Sequence, residues 1–293
     1  MSARDPDLDP SLFRVQIGPA FVASTRSWQS PKRGAVAGPD GSRVVDVEIT
    51  SFDDQGFARG MLAACGLRRA CAGKHVARVH TIGRNSTLGL VCIQDAPLGV
   101  SLNALVVRLT RDVGDLPLGH AVALVRAMAT VLHDVDRALH LGRSFASTQG
   151  SDWILCWDGV LRTRLMSTLA ERRMTLISPG IMRGTFWQMS REVAMGNPAD
   201  ARSDVYALGC VLYWLLSTTK PFQGTSAIDE LRAAVEGVHA PLSRYRPDLS
   251  PAATALVSSC MSREQEQRPA SFTELIAALD ALQERSSEHE LAA

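Results

Sequence analysis

The chain has 293 residues, enough to bury a sizeable core in one large domain or in two lobes. Lysine and arginine total 31 against 30 aspartates and glutamates, a balance that argues against a nucleic-acid-binding or membrane-surface protein. The six cysteines form no CxxC pair and no His/Cys cluster, so the sequence predicts buried free thiols rather than a disulfide framework or a zinc site.

The N-terminal third is predicted to form a small sheet with one helix. Its strand-like runs, rich in β-branched residues and separated by Gly, Pro, Ser and Asn, are residues 12–18, 43–50, 75–83 and 87–94. Apolar residues recur at helical spacing from Phe57 to Ala72. Residues 1–11 are acidic and lack the apolar stretch of a secretory signal, so they are predicted to be a disordered tail.

Helical patterns replace the strands after residue 95. Residues 120–139 carry Val122 and Val125 on one apolar face, and residues 203–217 are apolar all round, as in a helix buried at the centre of a lobe. Three more helices each begin at a serine that can cap the first free amides; they span 226–237, 250–262 and 271–285. The predicted domains are an N-terminal lobe at 12–95, a helical lobe at 96–285 and a disordered tail at 286–293.

Three motifs of the helical lobe resemble the protein kinase family, most closely the eukaryotic-like serine/threonine kinases of bacteria. "MSRE" at 189–192 is similar to the end of an activation segment, residues 201–224 to the central helix and the loop after it, and residues 266–279 to the closing arginine-bearing helix. The motifs occur in the family's order and at its spacings. The resemblance implies an α+β, two-lobed fold, with a small β-rich N-lobe containing one helix and a larger, mainly helical C-lobe.

The resemblance also implies structural roles for three residues of the C-lobe. Asp204 would brace the backbone of the catalytic loop from the start of the central helix. Glu192 and Arg268 would form the buried ion pair that clamps the activation segment to the lobe. The scaffold residues of the family are therefore present.

The residues that position phosphate in the family are missing from the matching strand. Glu48 takes the place of the phosphate-binding lysine, and Asp46 lies two residues earlier, on the same face of the strand. At about 5 Å and an effective dielectric of about 20, each carboxylate would repel a phosphate charge by roughly 3 kcal/mol. Cys92 is a further cleft position, and residues 55–94 contain no acid that could serve as the helix glutamate.

The catalytic loop and the metal-binding positions have changed as well. The catalytic triplet reads Gly142, Arg143 and Ser144, without an acid to accept the substrate proton. The magnesium-binding triplet reads Leu165, Met166 and Ser167. If Asp158-Gly159 is the turn that follows the catalytic loop, the metal-binding asparagine position falls on Asp152, a weak candidate for a cation.

The phosphate loop is degraded too. It retains Gly18, but Ala20 and Ala23 replace the glycines that allow close backbone approach, and Pro19 lacks an amide donor. We therefore expect no bound cofactor and no metal. The predicted protein is a pseudokinase, a kinase fold used as a binding scaffold or allosteric regulator.

The alternative is an active serine/threonine kinase that uses ATP and Mg²⁺ with relocated residues. Lys32 precedes every other lysine in the chain and could replace the strand lysine, although a solvated loop is the expected setting of its Pro/Gly-rich segment. For the pseudokinase, a protein partner is expected, either an active kinase or a signalling protein, and neither nucleic acid nor a membrane span is expected. No apolar run approaches the roughly 20 residues that span a bilayer, which favours a cytoplasmic location.

Tryptophans are the candidate anchors for such a partner, because aromatic residues concentrate at binding hot spots. The candidates are Trp28, Trp153, Trp157 and Trp187. Trp214, inside the predicted central helix, is expected to be buried.

Overall fold

The computed structural model describes residues 14–16, 32–37, 43–52, 75–77, 79–85, 89–95, 97–139, 153–163 and 186–292. The helix predicted at 57–72 lies outside these residues, as does the predicted N-terminal tail. Within them the protein has the α+β, two-lobed architecture that the sequence predicts, with a β-rich N-terminal region and a mainly helical C-terminal region.

The N-terminal region contains a five-stranded antiparallel sheet with the strand order β1-β2-β3-β5-β4. Its strands are β1 (Arg14–Gln16), β2 (Lys32–Ala37), β3 (Arg43–Phe52), β4 (Val79–Asn85) and β5 (Gly89–Asp95). Four of the five correspond to predicted runs. The prediction of a loop around Lys32 is wrong, because this segment forms strand β2 and pairs with β3. Pairing overrides its weak intrinsic strand preference, and Gly34 lies at a register irregularity of the kind that glycine favours.

A second, three-stranded sheet has the order β6-β7-β8 and belongs to the helical region. Its strands are β6 (Gly99–Ser101), β7 (Trp153–Cys156) and β8 (Leu161–Thr163). Gly99 is required here because a Cβ atom would collide with the carbonyl oxygen of Leu155 on β7. The turn between β7 and β8 contains Asp158 and Gly159, whose positive φ of 75° suits glycine.

The helices of the described C-terminal region are α1 (Leu102–Arg108, continued by a π-helical turn at Leu109–Val113), α2 (Leu118–Leu139), α3 (Arg191–Ala194), α4 (Ala201–Ser217), α5 (Ala227–Glu236), α6 (Pro251–Cys260) and α7 (Phe272–Ala292). Ser226, Ser250 and Ser271 each accept a hydrogen bond from a first-turn amide at 3.2 Å, as predicted. Helix α7 continues through Ala292, whereas the sequence predicts disorder from residue 286. Glu, Leu and Ala in this stretch are good helix formers.

The hydrophobic core is built around α4, in which every residue from Ser203 to Ser217 is buried. Helices α2 and α6 pack directly against α4, and α7 packs along α2. Residues Leu118–Arg137 of α2 meet the length and composition of a membrane-spanning helix, but Val122, Val125 and Met128 are buried in the core. An amphipathic core helix accounts for this pattern.

Candidate functional site

The site built most completely is an ion pair that joins two distant segments of the helical region. Arg268 donates from its two terminal nitrogens to the two carboxylate oxygens of Glu192, at 2.7 and 3.1 Å. The Arg268 side chain is 0% exposed and that of Glu192 is 7% exposed. Glu192 lies in the first turn of the short helix α3, and Arg268 follows a 3-10 turn just before α7. This is the buried pair that the resemblance implies.

The remaining donors of Arg268 are also satisfied. Its Nε donates to the carbonyl oxygen of Ser262 at 2.7 Å, and a terminal nitrogen donates to that of Arg263 at 3.1 Å. The guanidinium carbon lies 4.8 Å from the centre of the Tyr206 ring, in cation–π geometry. A charge can be held in this dry location because every hydrogen-bonding direction is used.

Ser203 is a member of this cluster that the sequence motifs do not reveal. Its hydroxyl donates to Glu192 Oε1 at 2.5 Å. Burial raises the pKa of Glu192, but the hydrogen bonds from Arg268 and Ser203 outweigh burial and lower it to about 2. Glu192 is therefore ionised throughout the physiological range. Asp204, the next residue along α4, is 3% exposed, and the loop that it would brace lies outside the described residues.

The strand that should carry the phosphate-binding lysine is β3, the central strand of the five-stranded sheet. Its sequence from Arg43 to Phe52 contains no lysine, so no shift of register can supply one. Glu48 lies opposite Gln94 on β5 and opposite Arg33 on β2. Cys92 lies opposite Thr50, two pairs further along the same ladder.

Most of the other candidate positions fall outside the described residues. They are Gly18, Ala20, Ala23, Gly142, Arg143, Ser144, Asp152, Leu165, Met166 and Ser167. The Asp158-Gly159 turn that places Asp152 is present, and Asp158 accepts from Arg162 at 2.9 and 2.7 Å. In the sequence, Asp152 is the residue before Trp153, at which strand β7 begins. Among the described residues, no group of three His, Cys, Asp or Glu side chains could hold a metal ion.

Comparison with known proteins bears on the same segments. Residues 170–279 match the family model described as the protein kinase domain. A probable serine/threonine-protein kinase of Corynebacterium efficiens is 42% identical over 103 residues, which cover 34% of this chain and 16% of the relative. Residues 170–279 of this chain are thus similar in sequence to the protein kinase domain.

Two further relatives widen the comparison. The serine/threonine-protein kinase PknB of Mycobacterium tuberculosis is 38% identical over 111 residues, covering 38% of this chain and 18% of the relative. The tyrosine-protein kinase MasK of Myxococcus xanthus is 29% identical over 172 residues, covering 54% of this chain and 26% of the relative. The matches thus span about a quarter or less of the relatives' own length.

The boundaries of the family match separate the two sets of kinase residues. The matched region, 170–279, contains Glu192, Asp204 and Arg268. It begins after the Leu165, Met166 and Ser167 positions. The region that the family model matches therefore carries the scaffold residues, whereas the match to MasK, over 54% of the chain, extends beyond it.

The described tryptophans divide between the core and the surface of the helical region. Trp153 is 0% and Trp187 is 5% exposed, so both are excluded as surface anchors. Trp187 packs against Trp214, their ring centres 5.6 Å apart, and Trp214 is buried as predicted. Trp157, at the β7–β8 turn, is 75% exposed and remains a candidate anchor. Trp28 lies outside the described residues.

Proposed function

We propose that this protein is a catalytically inactive member of the protein kinase family that acts as a binding scaffold or allosteric regulator. The observation that carries the proposal is the composition of β3, which contains acids at positions 46 and 48 and no lysine in any register. Phosphate transfer depends mainly on positioning and electrostatic stabilisation of the phosphates, so a strand with two acids works against it.

The Glu192–Arg268 pair supports the same proposal, because it shows that residues which stabilise the fold are retained. Removing one partner of a buried ion pair costs about 3–5 kcal/mol, so a sequence that loses kinase chemistry but still needs the fold is penalised for losing either residue alone. Loss of the catalytic residues and retention of this ion pair together favour a protein that functions by binding a partner rather than by catalysis. We accordingly propose no bound cofactor and no catalytic metal.

Binding to the folded state raises a melting temperature in proportion to ligand excess, so thermal denaturation tests nucleotide binding directly. The protein is titrated with ATP and with ADP, each with and without Mg²⁺ or Mn²⁺. We expect no change in melting temperature at millimolar nucleotide. A saturable rise in melting temperature with ATP and Mg²⁺ would remove the case for an inactive site.

The second candidate function, an active serine/threonine kinase with relocated residues, gains one observation from the structure. Lys32 is the first residue of strand β2 and lies opposite Ile49 of β3, so a lysine is present on the strand beside the lysine-free one. Losing one group can be compensated in this way. The changes at the catalytic triplet and at both metal-binding positions still stand against this function.

A radiolabelled-phosphate assay separates the two functions. The parent is compared with Lys32→Ala, Asp152→Ala and the control Lys220→Ala, whose lysine pairs with Glu230 at 2.9 Å on the surface of the helical region. We expect no phosphate transfer to the protein itself or to generic acceptor proteins from any of them. Transfer by the parent that disappears in Lys32→Ala or Asp152→Ala but persists in Lys220→Ala would establish relocated chemistry instead.

The proposed partner is a protein, and Trp157 is its proposed anchor. The Trp157 amide donates to the carbonyl oxygen of Leu98 at 3.1 Å, and Leu98 is itself 40% exposed. Two large apolar side chains are thus exposed at neighbouring positions, an arrangement that is enriched at protein interfaces. A crosslinked partner recovered with the parent should be lost with Trp157→Ala and retained with Val107→Ala, a control at another exposed apolar residue. Equal recovery with both variants would exclude Trp157 as the anchor.

A further inference from the structure

A buried glutamine without hydrogen-bond partners ends the short 3-10 turn Phe186–Gln188. Gln188 is 1% exposed, and within the part of the chain that the structure describes neither its Nε2 nor its Oε1 has a partner. A glutamine side chain can donate two hydrogen bonds from its nitrogen and accept others at its oxygen. Native proteins seldom leave such groups unsatisfied, so a residue with both atoms unpaired requires an explanation.

Apolar packing holds this turn, called the 186–188 turn below, against the helical region. The turn contacts α4 and α5, and Trp187 packs against Trp214 of α4. Burial of the indole favours this closed position. Burial of the unpaired Gln188 carboxamide opposes it, because both polar groups regain hydrogen bonds to water when the turn is exposed. The closed position is therefore less stable, relative to an open one, than its apolar packing alone would make it.

The chain that follows the turn is fixed in place. Glu192 of α3 is bound by Arg268 through two hydrogen bonds, at 2.7 and 3.1 Å. Between Gln188 and α3, Ser190 has an extended backbone with φ −68° and ψ 156°, and its side chain makes no capping hydrogen bond to the helix. A change in the backbone angles at Ser190 can move the turn while the ion pair stays in place.

We propose that the 186–188 turn opens away from α4 and α5, with Ser190 as the pivot, and that this motion controls the exposure of Trp187. The closed form hides the indole, which is 5% exposed. The open form presents it beside a hydrated carboxamide, and exposed tryptophans are frequent anchors of protein interfaces. Recruitment of a partner by the open form rests on the proposed scaffold function, whereas the opening itself does not.

Hydroxyl-radical footprinting with mass spectrometry measures the opening at Trp187. Trypsin releases this tryptophan in peptide 184–191, apart from the other tryptophans. When opening and closing are fast, the modification rate of a buried side chain follows the population of the open form. Gln188→Leu removes the unpaired groups, so we expect Trp187 to be modified about tenfold more slowly than in the parent. Trp153, which is 0% exposed, is the internal reference and should keep its rate. An unchanged or faster rate at Trp187 would overturn the proposal.

The matched control is Gln223→Leu, the same substitution at an exposed glutamine in the segment before α5. It should leave the rate at Trp187 unchanged, and equal slowing in both leucine variants would overturn the proposal. Gln188→Glu is a second variant that retains the size of the side chain. Its charge cannot be hydrated in the closed turn, so Trp187 should be modified about tenfold faster or more. A rate at or below that of the parent would contradict the opening.

Thermal denaturation supplies a second readout. Removal of the unpaired carboxamide should raise the denaturation midpoint of Gln188→Leu by about 2 °C or more, while Gln223→Leu should match the parent. A lower midpoint in Gln188→Leu would mean that the closed form satisfies the carboxamide, for example through a buried water, and would overturn the proposal. Phosphate transfer by the parent would end the proposed function without affecting these measurements. Unchanged rates at Trp187 in a protein that transfers no phosphate would end this inference alone.

Discussion

Arg268 connects parts of the chain that are far apart in sequence. It binds the carboxylate of Glu192, the carbonyl oxygen of Arg202 and the ring of Tyr206, which belong to α3, the start of α4 and its second turn. One terminal nitrogen donates both to Glu192 and to the Arg202 carbonyl oxygen, while the guanidinium carbon lies over the Tyr206 ring. An arginine in such a setting is not replaceable by lysine, which lacks the planar fork.

Truncation of Arg268 should therefore be severe. Arg268→Ala leaves Glu192 buried without its counter-ion, and we expect the free energy of unfolding to fall by about 3–5 kcal/mol. Denaturant unfolding followed by tryptophan fluorescence measures this loss. Arg263→Ala, at a neighbouring exposed arginine, is the control and should change stability by less than about 0.5 kcal/mol. Similar losses in the two variants would contradict a dominant role for the pair.

Glu192 also predicts a defined pH dependence. Its pKa is about 2 in the folded protein, below the ordinary value of 4.5. A lowered pKa means that the ionised form is stabilised by folding, so this contribution is complete above about pH 5 and is lost as the pH falls through 4.5 towards 2. Glu192→Gln should be less stable than the parent at pH 7, and the difference between the two should shrink below pH 4. A difference that stayed constant from pH 7 to pH 3 would refute this assignment.

At the scale of elements, close approach of α4 and α6 depends on a glycine within a helix. A Cβ atom on Gly209 would lie 2.6 Å from the Cβ of Cys260 and 3.1 Å from the Cγ of Met261. Glycine costs about 1 kcal/mol relative to alanine inside a helix, so its presence here is offset by the packing it allows.

The same substitution at two glycines should therefore have opposite effects. Gly209→Ala should lower the free energy of unfolding by about 1–3 kcal/mol, because the added methyl group overpacks the α4–α6 contact. Gly119→Ala, in α2 where a Cβ would meet nothing within 4 Å, should leave stability unchanged or raise it by up to about 1 kcal/mol. The measurement is the shift in denaturation midpoint. Stabilisation by both substitutions would show that α4 and α6 can separate at little cost.

The sequence predicts these helices well and the strands less completely. Helices α5, α6 and α7 begin where a serine cap precedes a helical apolar pattern, and both signals are local. Strand β2 escapes prediction because its alanines and glycine have weak strand preference, and only pairing with β3 makes it a strand. The Arg33 and Glu48 juxtaposition and the bond from Ser203 depend on such long-range placement, whereas Glu192 and Arg268 are predicted because family motifs mark them.

At the scale of the molecule, the chain that leads into β4 is tied to the helical region. His75 and Ala77 exchange backbone hydrogen bonds with Thr163 of β8, at 2.8 and 3.0 Å. Between them, Val76 is 6% exposed and belongs to the hydrophobic core of the helical region. The segment that leads into β4 is thus packed in the same core as the helices that follow it in sequence.

Val76 should consequently affect the stability of a region that lies later in sequence. Val76→Ala should lower the free energy of unfolding by about 1–3 kcal/mol, measured by the fluorescence of the buried tryptophans Trp153, Trp187 and Trp214. Val107→Ala, at a residue that is 64% exposed, should change it by less than about 0.5 kcal/mol. An unchanged tryptophan transition in Val76→Ala would show that the two regions unfold separately.

The buried thiols of α4 and α6 give the molecule an internal reporter of its own opening. Burial raises the pKa of Cys210 above its ordinary value and that of Cys260 to about 12, so neither forms the thiolate that alkylating reagents attack. Iodoacetamide can label these residues only during excursions in which α4 and α6 part. The rate of labelling at each cysteine, followed by mass spectrometry, would then measure how often α4 and α6 separate in the native protein. A partner that docks on this region and holds the two helices together would slow alkylation of both sulfur atoms without contacting either.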